Sequence, residues 1–116
     1  MTYEAAVELL IDHRWWLVRD DFLVFVEICR GFHGESMAAI DWRAACAAME
    51  DGGLPCSSSE RQVLRVAVGI AEGVPVDLRD AVTGLDAVNS VLVARAVLVA
   101  GGHHAAAAGL AGVRSR

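Results

Sequence analysis

Small apolar side chains dominate this chain and constrain its fold more than any single motif does. Among its 116 residues are 20 alanines and 16 valines but seven aromatic residues, and 55% of the chain is hydrophobic. Such side chains let helix axes approach closely, and a chain of this length buries one modest core. We therefore predict an all-α fold, a compact bundle of five to six short helices, with residues 1–101 as a single domain. Residues 102–116 lack a periodic apolar face and are expected to form a disordered tail.

Capping signals place the predicted helices along the chain. Ser57 and Glu60 have the spacing of a capping box, in which each side chain accepts a hydrogen bond from the other residue's backbone N–H. A glycine after the last apolar position suits a helix end, as Gly73 does here. The predicted helices are one that starts at Thr2, one over 21–32, a short one after Asp41, one over 58–72, a short one between Asp77 and Gly84, and one over 87–100.

Two of these helices are apolar around most of their circumference. Residues 21–32 carry polar side chains on a narrow strip, and residues 87–100 contain a single charge, Arg95. A small monomeric bundle cannot cover that much apolar surface, and self-association is the simplest way to bury it. The sequence thus predicts a homodimer or a protein partner, which indicates an interaction or regulatory module.

Charge and composition argue against several other classes. The net charge of −5 disfavours a nucleic-acid partner. The ten arginines without a single lysine indicate codon bias of a GC-rich genome. No apolar run reaches the ~18 residues of a membrane span, so we expect no membrane partner. An odd number of cysteines and the absence of a basic leader favour a cytoplasmic location. Candidate catalytic groups are isolated, so the sequence leans against an enzyme and predicts no cofactor.

The start of the helix over 58–72 provides an alternative function. A helix N-terminus attracts anions, and arginines there oppose the helix dipole unless they bind something negative. This predicts a small-molecule or anion site for a phosphate or carboxylate. The alternative is a serine-capped helix whose arginines are offset by nearby acids. The candidate anion-binding residues are Ser57, Ser58, Ser59, Arg61 and Arg65.

The cysteines suggest two further sites, each with an apolar-packing alternative. Cys56 precedes the same helix start, where a lowered thiol pKa would make it a reactive thiol. Cys29 and His33 stand four residues apart, a spacing that on a helix can present two ligands to zinc. The histidines follow no recognisable catalytic or metal motif, so we predict neither catalysis nor a metal site.

Arg95 and the tryptophan pair complete the candidates. Arg95 lies in an apolar helix, and burial there requires a carboxylate, for which Asp77, Asp80 and Asp86 are the nearest candidates along the chain. We predict a structural ion pair with Asp80; alternatively, Arg95 reaches the surface along its apolar stem or contacts a ligand. Trp15 and Trp16 stand beside an arginine at a helix break, as residues of interaction hot spots often do. Alternatively, both tryptophans pack over the small-residue core.

Three segments resemble a group of small actinobacterial proteins that have no assigned activity. They are Leu54-Pro55-Cys56-Ser57-Ser58-Ser59-Glu60, Gly73-Val74-Pro75-Val76-Asp77-Leu78-Arg79-Asp80 and Gly84-Leu85-Asp86. The resemblance covers residues 54–101 and implies a GC-rich bacterial source. It implies no site residue and no cofactor.

Overall fold

The helix that follows the capping box lies at the centre of the fold. In the computed structural model, which describes residues 2–31 and 33–110, this helix contacts four of the other helices. The elements are α1 (Thr2–His13), a 3-10 helix (Trp16–Val18), α2 (Asp20–Leu23), β1 (Val26–Arg30), β2 (Ser36–Ile40), α3 (Trp42–Glu50), α4 (Ser58–Glu72), α5 (Leu78–Gly84), α6 (Ala87–Ala100) and α7 (His104–Ala108). The predicted all-α class and compact helical bundle are confirmed, with a small two-stranded sheet added.

The core forms where α1, α4 and α6 pack together. Small side chains of α1, such as Ala6, are fully buried and let α4 approach closely. The same core cluster contains three large, buried aromatic side chains, Trp16, Phe22 and Trp42. A few large aromatic side chains thus close a core otherwise built from alanine, valine, leucine and Met49.

Side-chain caps start four of the helices, because each N-terminus leaves backbone N–H groups without intrahelical partners. At α4 the Ser57 hydroxyl accepts from the Glu60 N–H at 3.3 Å, and the Glu60 carboxylate accepts from the Ser57 N–H at 2.8 Å. Asp41, Asp77 and Asp86 cap α3, α5 and α6 with their carboxylates. The predicted capping box is therefore present, and Gly73 ends α4 in the left-handed conformation with φ of 70°.

The predicted helix over 21–32 is wrong beyond its first turn. It ends at Leu23, and β1 and β2 form an antiparallel hairpin in which Val26 pairs with Ile40. β-Branched residues alternate along this stretch, which favours a strand. The Gly31 N–H closes the turn by donating to the Glu35 carbonyl at 2.7 Å, and Gly34 adopts a φ of 83°. These turn contacts select the hairpin over the longer helix.

The chain after α6 departs from the expected disordered tail over its first part. α7 spans His104–Ala108, and its Ala107 is buried against Ala5 of α1 and Val99 of α6. This contact gives the alanine-rich segment an apolar face that periodicity along the sequence did not show. Residues 111–116 of the predicted tail lie outside the described residues.

Candidate functional site

The three serines at the start of α4 hold helices together. Ser57 forms the capping box, and the Ser58 hydroxyl donates to the Gly84 carbonyl at 3.3 Å. The Ser59 hydroxyl accepts from the Asn89 side-chain amide at 2.9 Å and from the Asp86 N–H at 3.3 Å. The serines thus connect α4 to α5 and α6, and they do not converge on a common point where an anion would bind.

The arginines of the predicted anion site also separate. Arg65 donates from Nε and Nη2 to both carboxylate oxygens of Glu50 on α3, at 2.9 and 2.7 Å. This bidentate pair raises the pKa of Arg65 and lowers the pKa of Glu50. Arg61 lies one turn earlier, beside Cys56. Arg65 therefore faces α3 and lines a cleft that the three serines and Arg61 do not line. The anion site at the start of α4 stays a prediction.

The pKa of the Cys56 thiol is raised, whereas its place before a helix start predicted a lowered pKa. Burial raises its pKa, and the nearby Arg61 guanidinium offsets this only in part. Burial likewise raises the pKa of Cys46 on α3, with Glu50 adding to the shift. A raised pKa reduces the thiolate fraction near neutral pH, and thiolate is the reactive form. The geometry thus gives Cys56 no activated character.

Arg95 pairs with a different carboxylate from the predicted one. Its Nη1 donates to Oδ2 of Asp12 on α1 at 3.1 Å, and the two side chains are 14% and 13% exposed. The predicted partner Asp80 lies on α5 instead. Asp80 is closer to Arg95 along the chain than Asp12 is, whereas α6 packs against α1 from the other end of the sequence. Arg95 therefore forms a structural ion pair, but its carboxylate belongs to a residue that only the tertiary packing brings near.

The two tryptophans pack into the fold. Trp16 is fully buried and donates from Nε1 to the Glu60 carbonyl at 2.9 Å, so its predicted role at an interaction surface is wrong. Trp15 is half-buried and meets Trp16 edge-to-face. The Arg19 guanidinium lies 4.5 Å from the Trp15 ring centroid and forms an ion pair with Asp21. This stacking joins the 3-10 helix to α2.

The hypothesised zinc pair loses the helical spacing on which it depended. Cys29 lies on β1 and His33 lies in the turn that follows. Among residues 2–31 and 33–110, no group of three or more His, Cys, Asp or Glu side chains could hold a metal ion. No helix in the same ranges is both long enough and apolar enough to cross a membrane.

An apolar groove lies between α5 and α6, with α4 as its floor, and no sequence motif pointed to it. It encloses about 280 Å³, and every residue lining it is hydrophobic or a glycine. Leu78 on its rim is 74% exposed and Val82 is 59% exposed, while Val97 of α6 faces them and is also exposed. In the sequence, the apolar character of residues 87–100 indicates the α6 side of this groove. Leu78, Ala81 and Val82 of α5 follow the i, i+3, i+4 spacing of an apolar helix face, but a seven-residue helix shows this pattern over one turn only.

A second, polar cleft lies on the other side of the connector that joins α4 to α5. Its floor is α4, its walls are α3 and α5, and its volume is about 360 Å³. Gln62 lines this cleft and is only 5% exposed, although glutamine side chains are mostly exposed in folded proteins. The cleft also contains Arg65 of the predicted anion site, together with its partner Glu50. Gln62 could not be identified from sequence because α5 covers it only in the folded chain.

Comparisons with protein-family models, with curated proteins and with solved structures give no match to this chain.

Proposed function

We propose that this chain is a cytoplasmic, self-associating interaction module, and that a second copy occupies the groove between α5 and α6. The observation that carries the proposal is the exposure of Leu78, Val82 and Val97 around a groove with a wholly apolar lining. Contiguous apolar surface of this kind is uncommon on monomers and is typical of interaction sites.

The shape of this surface favours a copy of the same chain over an unrelated partner. Leu78 projects from the rim with three quarters of its side chain exposed, and the groove lies directly beside it. Under twofold symmetry, Leu78 of each copy can enter the groove of the other copy. A surface that carries both the projecting side chain and the recess is complementary to itself.

Burial of these side chains supplies the driving force. A fully buried leucine or valine side chain contributes roughly 1.5–3 kcal/mol, and twofold symmetry doubles each contribution. Association costs at least about 4 kcal/mol in lost translational and rotational freedom. Three residues from each copy can exceed that cost, which is consistent with a dimer that forms reversibly.

Light scattering coupled to size-exclusion chromatography tests the proposal with two matched variants. Val82→Glu places a charge in the groove, whereas Val88→Glu places one on α6 at a residue that does not line the groove and is 58% exposed, against 59% for Val82. We expect the wild type and Val88→Glu to elute as dimers and Val82→Glu as a folded monomer. A wild-type monomer at high micromolar concentration, or a dimer of Val82→Glu, would contradict the proposal.

An anion or small-molecule binding function is the second candidate. The guanidinium of Arg65 in the polar cleft beside α3 supports it, whereas Glu50, Asp77 and Asp80 line the same cleft and oppose an anion there. Because Glu50 already accepts both of its hydrogen bonds, an anion would have to displace that carboxylate. Inorganic phosphate should then perturb NMR signals of α3 and α4 in the wild type but not in Arg65→Gln.

A further inference from the structure

The polar cleft between α3 and α5 contains a buried acceptor that has no donor. Oε1 of Gln62 is buried and has no hydrogen-bond partner within the described part of the chain. Gln62 lines the floor of the cleft, and the residue is only 5% exposed. Buried carbonyl oxygens are almost always hydrogen-bonded, so this one indicates a missing donor.

The electrostatics of the cleft define the charge of that donor. Carboxylates of Glu50, Asp77 and Asp80 line it, and Arg65 is the arginine among its lining residues. Arg65 pairs with Glu50, and Asp77 accepts from the Asp80 N–H as the cap of α5. Asp80 also lies close enough to Arg65 to interact with it electrostatically, so three carboxylates share one arginine. The cleft is therefore negative and favours a positively charged ligand.

One wall of the cleft adds an apolar requirement. It consists of Val74, Pro75 and Val76 in the connector between α4 and α5. An alkyl chain fits against these residues while a charged head points to the acids. The volume of about 360 Å³ lies at the lower end of the range for ligand sites, roughly 300–1,000 Å³.

We propose that this cleft binds a small alkylammonium ion, a primary amine in its protonated form. Its ammonium group donates to Oε1 of Gln62 and to the carboxylate of Asp80, and its alkyl chain packs against Val74 and Val76. A small movement of the Gln62 amide brings Oε1 to the ligand. The ligand has the opposite charge from the one predicted for the start of α4. The cleft and the groove share Val74 and Val76, whereas Leu78 and Val82, which carry the proposed dimer, line the groove and not the cleft. Loss of the dimer in Val82→Glu therefore does not remove the acids of the cleft.

An NMR titration of the full chain with n-butylammonium chloride tests the site. Saturable shifts are expected for backbone amides around Gln62 and Asp80 at millimolar ligand. Sodium butyrate, which has the opposite charge, and 1-butanol, which keeps the alkyl chain without the charge, serve as matched probes at the same ionic strength. Neither should produce saturable shifts at these amides.

Two charge-matched variants separate local binding from general attraction to an acidic protein. Asp80→Asn removes the carboxylate in the cleft and should weaken butylammonium binding about tenfold. Asp51→Asn removes an exposed carboxylate that does not line the cleft and should leave the affinity unchanged. Absence of saturable shifts in the wild type, equal shifts with butyrate, or equal weakening in both variants would overturn the proposal.

Discussion

Arg95 on α6 and Asp12 on α1 form an ion pair across 83 residues of sequence, with Nη1 of the arginine 3.1 Å from Oδ2 of the aspartate. Both side chains are largely buried, so the charges are separated from most of the solvent. Nε of the arginine is buried without a partner among the described residues. Asp12 is thus the carboxylate that hydrogen-bonds this arginine, and the pair joins the N-terminal helix to the last long one.

Asp12→Asn tests this pairing. The substitution keeps the shape of the side chain but leaves the charge of Arg95 without its carboxylate, and we expect the free energy of unfolding to fall by about 1.5–3 kcal/mol. Urea denaturation followed by circular dichroism measures the change. Asp80→Asn is the control, since Asp80 was the sequence-based candidate for the same pairing. An equal loss of stability in both variants would argue against the observed pairing.

Gly69→Ala should destabilise the fold, although the same change inside an exposed helix stabilises by about 1 kcal/mol. A Cβ at Gly69 would lie 2.7 Å from Cγ2 of Val76 and 3.1 Å from the backbone carbonyl of Val74. The expected loss is about 1–3 kcal/mol in the free energy of unfolding, because the connector must shift. The same denaturation assay measures it.

Val76→Ala provides the matching control for Gly69→Ala. It removes the closer of the two contacting groups, so the double variant should lose less stability than the sum of the single losses. Strict additivity would show that Val76 does not limit the approach of α4 to the connector.

Features set by a few neighbouring residues could be predicted from the sequence. The capping box of Ser57 and Glu60 is one, because both hydrogen bonds lie within a single turn. The partner of Arg95 and the burial of Gln62 could not be predicted, since each depends on which helices meet in the folded chain. The hairpin of β1 and β2 could be predicted only in part. Its β-branched alternation was visible, but the apolar spacing also fitted a helix, and the turn around Gly34 decided the outcome.

Arg14→Gly should stabilise the end of α1. Arg14 is the residue after this helix and adopts a φ of 66°, and its N–H donates to the Leu10 carbonyl at 3.0 Å. A left-handed conformation costs a residue with a side chain roughly 1–2 kcal/mol, and glycine recovers part of that at the expense of a more flexible unfolded chain. We expect a net gain of about 0.5–1 kcal/mol in thermal or urea denaturation.

Arg14→Ala distinguishes backbone strain from charge at this helix end. Alanine removes the guanidinium but keeps a Cβ, so it should not reproduce the gain of the glycine variant. If alanine and glycine stabilise equally, the gain comes from removal of the charge.

His13 should make stability fall as the pH drops below about 6.5. The side chain is half-buried at the end of α1, and its Nδ1 has no hydrogen-bond partner in the described ranges. Burial lowers the pKa of His13, while the carboxylates of Glu60 and Asp86 offset the shift in part. The unfolded chain, with an ordinary pKa of about 6.5, therefore takes up the proton first as the pH falls. Stability from this group is complete above the unfolded pKa and declines from there towards the folded pKa.

Urea denaturation at pH 7.5, 6.5 and 5.5 measures this decline, and His13→Gln should flatten it because glutamine does not titrate. The carboxylates of Asp21 and Glu50 do not interfere in this window. Their pKa values are lowered by Arg19 and Arg65, so their contributions are lost only as the pH falls through the acid range below about 4.5. A decline of the same size in His13→Gln between pH 7.5 and 5.5 would assign the effect to another group.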